Sequence, residues 1–230
     1  MRHWWNHSHS QAMIETGDAR LQLCAVTDDL RDGADGLVQR ALAAERGGVT
    51  MVLLRLKHAD ARTIVEVGRA LVSSLSVPVI VSERLDAALA CGAAGVHLTS
   101  GSVPVVAIRP HVPDSFLIGG SIWTPDDLAH ASHADYVTIG PVFGDSSSAI
   151  GIDGFRRFAR ACGRPAIAIG GIEPANVAVV RGAGSAGVAV IRAVFGADDP
   201  SLAATQLIHA MQPPVSELRT SVPRTDEGAG

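Results

Sequence analysis

Short apolar segments alternate with longer helical patterns along most of the chain. The segments are rich in Val, Ile, Leu and Ala, and they start about 17 to 30 residues apart, the length of a strand followed by a helix. Strands that alternate with helices pair in parallel, so this feature constrains the fold more than any other. The predicted strands start near Gln22, Thr50, Val77, Ala94, Ser115, Asp135, Pro165 and Ala186.

The segments between the strands have helical periodicity. In 34–46, Leu37, Ala41 and Ala44 recur at intervals of three or four residues, and 62–75 shows the same spacing. Eight strand–helix units are the number that a closed (β/α)8 barrel needs. A doubly wound open sheet is the alternative. The sequence therefore predicts an α/β protein consisting of a single (β/α)8 TIM barrel.

We expect one domain, residues 21–212, with a disordered tail at each end. Residues 1–20 include the segment RHWWNHSHS, whose histidines have no acidic partner or periodicity that would fix a metal geometry. Residues 213–230 are polar and rich in Pro, Ser and Thr. Only 4% of the residues are aromatic, so the core has to be built from Ala, Val, Ile and Leu.

Charge and cysteine usage exclude several classes of partner. A formal net charge of −4 argues against nucleic acid and against an anionic membrane surface. No apolar run reaches the roughly 20 residues of a membrane-spanning helix, and 1–11 lacks the apolar stretch of a secretory signal. The three cysteines form no C-x-x-C pair, which is typical of reduced thiols. We expect a cytoplasmic protein with no nucleic-acid and no membrane partner, and the sequence leaves a homo-oligomer open.

The active site of a TIM barrel lies at the carboxyl ends of the strands. The clearest signal there is Gly170-Gly171 after the seventh strand together with Ile191-Arg192 after the eighth, because glycine turns and a helix start let backbone N–H groups reach a phosphate. Tight turns alone are the alternative explanation of these glycines. The predicted phosphate- and substrate-binding residues are Arg55, Arg84, Ser121, Trp123, Gly140, Gly170, Gly171, Ile191 and Arg192.

Three titratable residues near the strand ends are candidate catalytic residues. His97 ends an apolar strand, and an imidazole exchanges protons near neutral pH. A general acid or base needs a partner, and Glu83 is a candidate partner across the barrel. Lys57 alternates with Arg55, so both would face the barrel mouth. A packed core histidine is the alternative for His97, and a pair of solvated charges is the alternative for Arg55 and Lys57.

Several short strings follow one another along the barrel in a recognisable order. They are Val26-Thr27-Asp28, Arg55-x-Lys57, Arg84-Leu85-Asp86-x-Ala88-Leu89-Ala90, Gly95-Val96-His97-Leu98, Gly140-Pro141-Val142-Phe143, Ala168-Ile169-Gly170-Gly171-Ile172 and Gly187-Val188-Ala189-Val190. On these strings, the chain from about Leu23 to Pro200 resembles the thiamine phosphate synthase superfamily, which includes the TenI-type thiazole tautomerases.

The resemblance implies a role in thiamine biosynthesis and a small phosphorylated metabolite of the thiazole phosphate type as partner. A synthase of this superfamily couples hydroxymethylpyrimidine diphosphate to thiazole phosphate, with Mg²⁺ assisting the departure of diphosphate. A tautomerase instead moves a proton on a thiazole carboxylate phosphate. We expect no cofactor, and Mg²⁺ only if the protein is an active synthase.

The chain departs from the synthase pattern where metal and diphosphate would bind. Leu53 replaces a glutamine, Ser82-Glu83 replaces an Asn-Asp pair, 99–102 lacks the second aspartate, and 144–148 lacks a lid lysine. Mg²⁺ takes oxygen ligands in near-octahedral geometry, and one glutamate is a poor substitute for two acids. On this basis we predict no metal-binding residues.

The string Leu98-x-Ser100-Gly101-Ser102 resembles the tautomerase branch more closely. Trp123, however, stands where that branch has a histidine, and an indole N–H donates a hydrogen bond but does not shuttle a proton. We therefore predict a thiazole tautomerase whose proton carrier is His97, Glu83 or Lys57. The alternatives are an active thiamine phosphate synthase, a non-catalytic phosphate-binding or regulatory barrel, and an unrelated phosphate-binding barrel.

Overall fold

Eight parallel strands form a closed barrel in a computed structural model that describes residues 17–27, 30–144 and 148–212. Neighbours in the sequence are neighbours in the barrel, and the last strand pairs with the first, Leu23 lying beside Val188. The strands are β1 (Leu23–Val26), β2 (Met51–Leu54), β3 (Val79–Ser82), β4 (Gly95–Leu98), β5 (Leu117–Ile122), β6 (Tyr136–Ile139), β7 (Ala166–Ile169) and β8 (Gly187–Val190). The predicted TIM barrel is confirmed.

Helices follow the strands and form the outer layer. Those in the described residues are α1 (Gly33–Arg46), α2 (Ala61–Ser74), α3 (Leu85–Cys91), α4 (Val105–Ile108), α5 (Asp127–Ala131), α6 (Gly151–Cys162), α7 (Val177–Gly182), α8 (Arg192–Phe195) and α9 (Pro200–Met211). The Asp60 carboxylate begins α2 by accepting the Thr63 amide at 2.8 Å. None of the described helices is long and apolar enough to cross a membrane.

The strands are buried on both faces and separate two apolar layers. One layer fills the barrel and includes Met51, Leu53 and Ile80; the other lies between barrel and helices and includes Val52 and Leu54. Burial on both faces is why each strand reads as a continuous apolar run. The alternation also fixes the direction of polar residues: on β4, Val96 and Leu98 belong to the outer layer, so His97 faces the barrel interior.

The predicted tails fall largely outside the described residues. This applies to 1–16 of the amino-terminal tail and to all of the carboxyl-terminal tail, 213–230. Within the described part, Ala19–Leu21 forms a single 3-10 turn, in which the Asp18 carboxylate accepts the Arg20 amide at 2.8 Å. Leu21 is fully buried. Residues 18–20 are therefore part of the structured barrel and not of a tail.

Candidate active site at the carboxyl ends of the strands

Two glycines shape the end of β7. Gly170 and Gly171 have φ angles of 97° and 63°, which glycine adopts without strain. A Cβ on Gly170 would lie 2.6 Å from Pro141 Cα, and one on Gly171 would lie 2.7 Å from the Phe143 carbonyl oxygen. The Phe143 amide donates to the Gly170 carbonyl oxygen at 3.0 Å. The loop after β6 therefore packs on these glycines, and the exposed backbone of Gly171 stays open at the barrel mouth.

The start of α8 lies next to this turn because β7 and β8 are paired, Ile169 beside Ala189. Ile191 is the residue before the helix, and Arg192, with an exposed side chain, is its first residue. The first amides of a helix have no acceptor within it. The two turns together, which we call the glycine cradle (Gly170, Gly171, Ile191 and Arg192), bring backbone N–H groups of two neighbouring strand ends together, and their binding of phosphate stays a prediction.

Two cations follow β2. The Thr27 hydroxyl accepts the Arg55 amide at 2.8 Å and donates to the Arg55 carbonyl oxygen at 3.1 Å, which extends the β1–β2 pairing. Because Leu53 faces the barrel interior, the alternation carries Arg55 to the same side, above the core. Lys57 is exposed and lies in a turn beyond the strand. The structure thus places Arg55 over the barrel and Lys57 in the turn that follows, and both residues lie beyond the last residue of β2.

Glu83 joins β3 and β4 at the mouth. Its φ is 63°, its amide donates to the His97 carbonyl oxygen at 2.8 Å, and its carboxylate accepts the Thr99 hydroxyl at 2.7 Å. The Thr99 amide in turn donates to Ser102 Oγ at 3.2 Å. Glu83, Thr99 and Ser102, which we call the oxygen cluster, therefore bring a carboxylate and two hydroxyls together on the side of the barrel opposite the glycine cradle.

The oxygen cluster fits a magnesium ion only in part. Mg²⁺ is bound in proteins by one or two carboxylates together with waters and the phosphate oxygens of a substrate. Glu83 supplies one carboxylate, and no three His, Cys, Asp or Glu side chains converge among the described residues. The donor set therefore suits a Mg²⁺ ion that arrives with a diphosphate, and not an ion held by the protein alone.

A pocket of about 580 Å³ opens beside the oxygen cluster. Most of its lining is apolar and comes from α3, α4 and the residues around them, including Leu85, Leu98 and Ile108, and Glu83 and Ser102 also line it. Glu83 is exposed, and Thr99 and Ser102 are partly exposed.

His97 is not at the mouth, contrary to the expectation of a proton carrier there. Its ring lies inside the barrel and is 3% exposed. Nε2 lies 3.0 Å from Ser121 Oγ and 3.2 Å from Thr138 Oγ1, and Nδ1 lies 3.3 Å from the Tyr136 hydroxyl oxygen. Burial lowers the pKa of His97 to about 4, so the ring is neutral near pH 7. The core histidine, which the sequence offered as the alternative, describes this position better.

The remaining predicted residues lie at the mouth with different surroundings. Trp123 is 59% exposed, and its amide donates to Asp127 at 2.8 Å. Arg84 forms a surface ion pair with Asp86 at 2.5 Å, so its guanidinium already has an anionic partner. Gly140 follows β6, and a Cβ there would collide with the backbone of Ile169.

Sequence reasoning missed Tyr136, Thr138, Thr99 and Asp127. Burial acts to raise the pKa of Asp127, but hydrogen bonds from Trp123, Thr124 and Ser100 outweigh it and hold that pKa below its ordinary value. One signal was available: Tyr136 is the only tyrosine of the chain and stands two residues before Thr138, so both share the interior face of β6.

Comparison with known proteins places this arrangement in a family. Residues 23–194, from β1 into α8, match the family model of thiamine monophosphate synthase. The chain belongs to the thiamine monophosphate synthase family. The predicted resemblance to this superfamily is confirmed, and the match includes the glycine cradle as well as the oxygen cluster.

Individual relatives cover nearly the whole barrel. The chain is 38% identical over 203 residues to the thiamine-phosphate synthase of Albidiferax ferrireducens, covering 83% of this chain and 93% of that one. It is 41% identical over 182 residues to the thiamine-phosphate synthase of Natronomonas pharaonis, covering 74% and 85%. Among solved structures, a thiamine phosphate pyrophosphorylase from Pyrococcus furiosus matches with a TM-score of 0.76 and 32% identity, covering 84% and 96%.

Proposed function

We propose that this member of the thiamine monophosphate synthase family is a thiamine phosphate synthase, which joins hydroxymethylpyrimidine diphosphate to thiazole phosphate and releases diphosphate. The observation that carries the proposal is that the glycine cradle and the oxygen cluster lie on opposite sides of the mouth, which supports two separate anion sites. The glycine cradle suits a phosphate monoester, and the oxygen cluster with its single carboxylate suits the Mg²⁺ of a diphosphate. Two separate sites match a reaction with two phosphorylated substrates.

Each of the two sites binds one of the substrates. The backbone amides of the glycine cradle hold the phosphate of the thiazole, and the Glu83 carboxylate holds the metal side of the diphosphate. Arg55 and Lys57 lie between the two and offset the charge that grows on the departing diphosphate. Mg²⁺, when bound, supplies further neutralisation of that charge.

The coupling step needs no proton carrier. The thiazole nitrogen donates its lone pair to the methylene carbon of the pyrimidine, and the electrons of the C–O bond leave with diphosphate. This agrees with a mouth in which Trp123 stands at the position of a histidine and His97 is buried and neutral. A tautomerase would depend on Glu83 or Lys57 alone, and so the geometry gives it less support. The names of the relatives also support the synthase.

An assay with both substrates and Mg²⁺ tests the proposal. We expect thiamine phosphate to form and its formation to stop on chelation. Glu83→Gln should lower the rate roughly a hundredfold or more, because a charge-stabilising group is lost, whereas Glu66→Gln, an exposed site on α2, should leave it unchanged. No thiamine phosphate, combined with solvent proton exchange on thiazole carboxylate phosphate, would establish the tautomerase instead.

A further inference from the structure

Four polar side chains form a closed group inside the barrel, beneath the mouth. They are His97 on β4, Ser121 on β5, and Tyr136 and Thr138 on β6, and each is at most 6% exposed. Such a group is costly in an apolar core unless its hydrogen bonds are satisfied. The mechanism above uses neither His97 nor Tyr136, so their presence calls for a separate explanation.

The backbone of β5 is adapted to this group. Gly119 pairs with both His97 and Tyr136 in the barrel register. A Cβ at position 119 would lie 2.6 Å from the Tyr136 hydroxyl oxygen and would overlap the His97 ring. Glycine at this position allows the two rings to lie with their centroids 5.6 Å apart and Nδ1 facing the hydroxyl.

The direction of the hydrogen bonds follows from Tyr136. Its hydroxyl is buried, and burial holds its pKa well above the ordinary value, so the proton stays on the oxygen. Among the described residues the acceptor within reach is His97 Nδ1. A buried hydroxyl rarely leaves its proton without an acceptor, so Tyr136 donates to Nδ1 and the ring proton resides on Nε2. His97 Nε2–H then donates to Ser121 Oγ, 3.0 Å away.

We propose that Tyr136 and His97 are positioning residues that make Ser121 a hydrogen-bond donor towards the substrate. Because Ser121 Oγ accepts from His97, its own proton is directed elsewhere, and Ser121 lies at the mouth end of β5. When substrate is bound, an acceptor atom of its ring above Ser121 receives the Ser121 proton. When the site is empty, Ser121 donates instead to Thr138 Oγ1, 3.3 Å away. This role rests on the proposed synthase function for the identity of the substrate, but the direction of the chain Tyr136–His97–Ser121 does not.

The first test is the tautomer of His97, read from the ¹⁵N resonances of its ring by NMR near pH 7. We expect Nε2 to be protonated and Nδ1 to be unprotonated in the wild type, and the Nδ1–H form to appear in Tyr136→Phe. Thr138→Val is the matched control, because it removes a buried hydroxyl near Nε2 and leaves Nδ1 with its donor. A wild-type ring protonated on Nδ1 would overturn the proposal.

The second test is binding, measured by calorimetry separately for thiazole phosphate and for hydroxymethylpyrimidine diphosphate so that no reaction occurs. We expect Ser121→Ala to weaken one of the two by roughly two- to twelvefold, the range for one neutral hydrogen bond. Tyr136→Phe should weaken the same ligand, and it should add nothing in the Ser121→Ala background. Additive losses would contradict coupling through His97.

The two tests separate the positioning role from the proposed function. A protein that forms no thiamine phosphate but shows the expected tautomer and coupled binding losses keeps the positioning role and loses the synthase. A protein that forms thiamine phosphate but shows the Nδ1–H tautomer keeps the synthase and loses the positioning role. Thermal unfolding of Tyr136→Phe and Thr138→Val identifies any loss that comes only from a damaged core.

Discussion

Glu83 combines an unfavourable backbone with a useful side-chain position. A φ of 63° is the left-handed region, which costs a residue other than glycine roughly 1–3 kcal/mol. The same conformation hydrogen-bonds its amide to His97 and its carboxylate to Thr99, at the rim of the mouth. Strain of this kind persists where the surrounding structure fixes the conformation, and it is concentrated at functional sites.

Substitution of Glu83 should separate stability from activity. We expect Glu83→Gly to be more stable than Glu83→Gln by about 1 kcal/mol, because glycine adopts the left-handed region without strain. Both variants lose the carboxylate, so both should lose the Mg²⁺-dependent formation of thiamine phosphate. Urea unfolding and the two-substrate assay measure the two effects. A Glu83→Gly variant no more stable than Glu83→Gln would show that this backbone carries no strain.

The sequence predicted where the strands lie, but not which side chains of different strands meet inside the barrel. Each predicted strand starts one or two residues before the observed one, because burial on both faces produces a recognisable apolar run. Apolar runs do not predict which side chains surround His97. Tyr136 lies 39 residues away and reaches His97 only through the register of β4 with β5 and of β5 with β6. That register is a property of barrel closure and leaves no local pattern.

The turn after β7 allows a sharp test of the glycine cradle. Gly171 and Gly163, the residue that ends α6, have nearly the same φ, 63° and 61°, but a Cβ on Gly163 would meet nothing within 4 Å. Alanine at position 163 should cost about 1 kcal/mol in stability because of its φ alone. Alanine at position 171 should cost more, because its Cβ also meets the backbone of Phe143. Only Gly171→Ala should also weaken thiazole phosphate, by roughly tenfold or more, because it crowds Phe143 and shifts the amides that bind the anion.

Calorimetry of the two alanine variants against thiazole phosphate measures this difference. Equal affinities for Gly171→Ala and Gly163→Ala would remove the cradle from the binding site.

At the scale of the whole molecule, buried polar groups couple barrel stability to pH. The pKa of His97 is about 4 in the folded barrel, against an ordinary value of 6.5, because burial disfavours the charged ring. Between these pH values the unfolded chain binds the proton and the folded barrel does not, so the free energy of unfolding falls as the pH falls. The contribution of His97 is complete above pH 6.5. Hydrogen bonds lower the pKa of Asp127 below its ordinary value of 3.8. The stability that Asp127 contributes is therefore lost only as the pH falls below about 3.8.

We therefore expect the barrel to lose up to about 3 kcal/mol of stability through His97 between pH 6.5 and pH 4. Urea unfolding at pH 7.5 and pH 4.5 measures the loss, and His97→Gln should show a smaller difference between the two conditions. A native-state NMR titration of His97 does not depend on how well that variant folds. A midpoint near 6.5 in that titration would refute the expectation.

The pairing of the first strand with the last has a consequence for how the protein is made. β1 and β8 are the neighbours that close the barrel, and α9 packs on α1, where Gly47 lets the backbone of Ser201 approach. During synthesis, β1 can pair with β2 early, but β8, its second neighbour, leaves the ribosome only after almost the whole chain has been made. Until then the nascent chain has an open edge at β1 and another at its newest strand, and such edges invite pairing with other chains. Truncation before Gly187 would leave this state permanent, so chaperone binding to stalled chains should persist until β8 has left the exit tunnel.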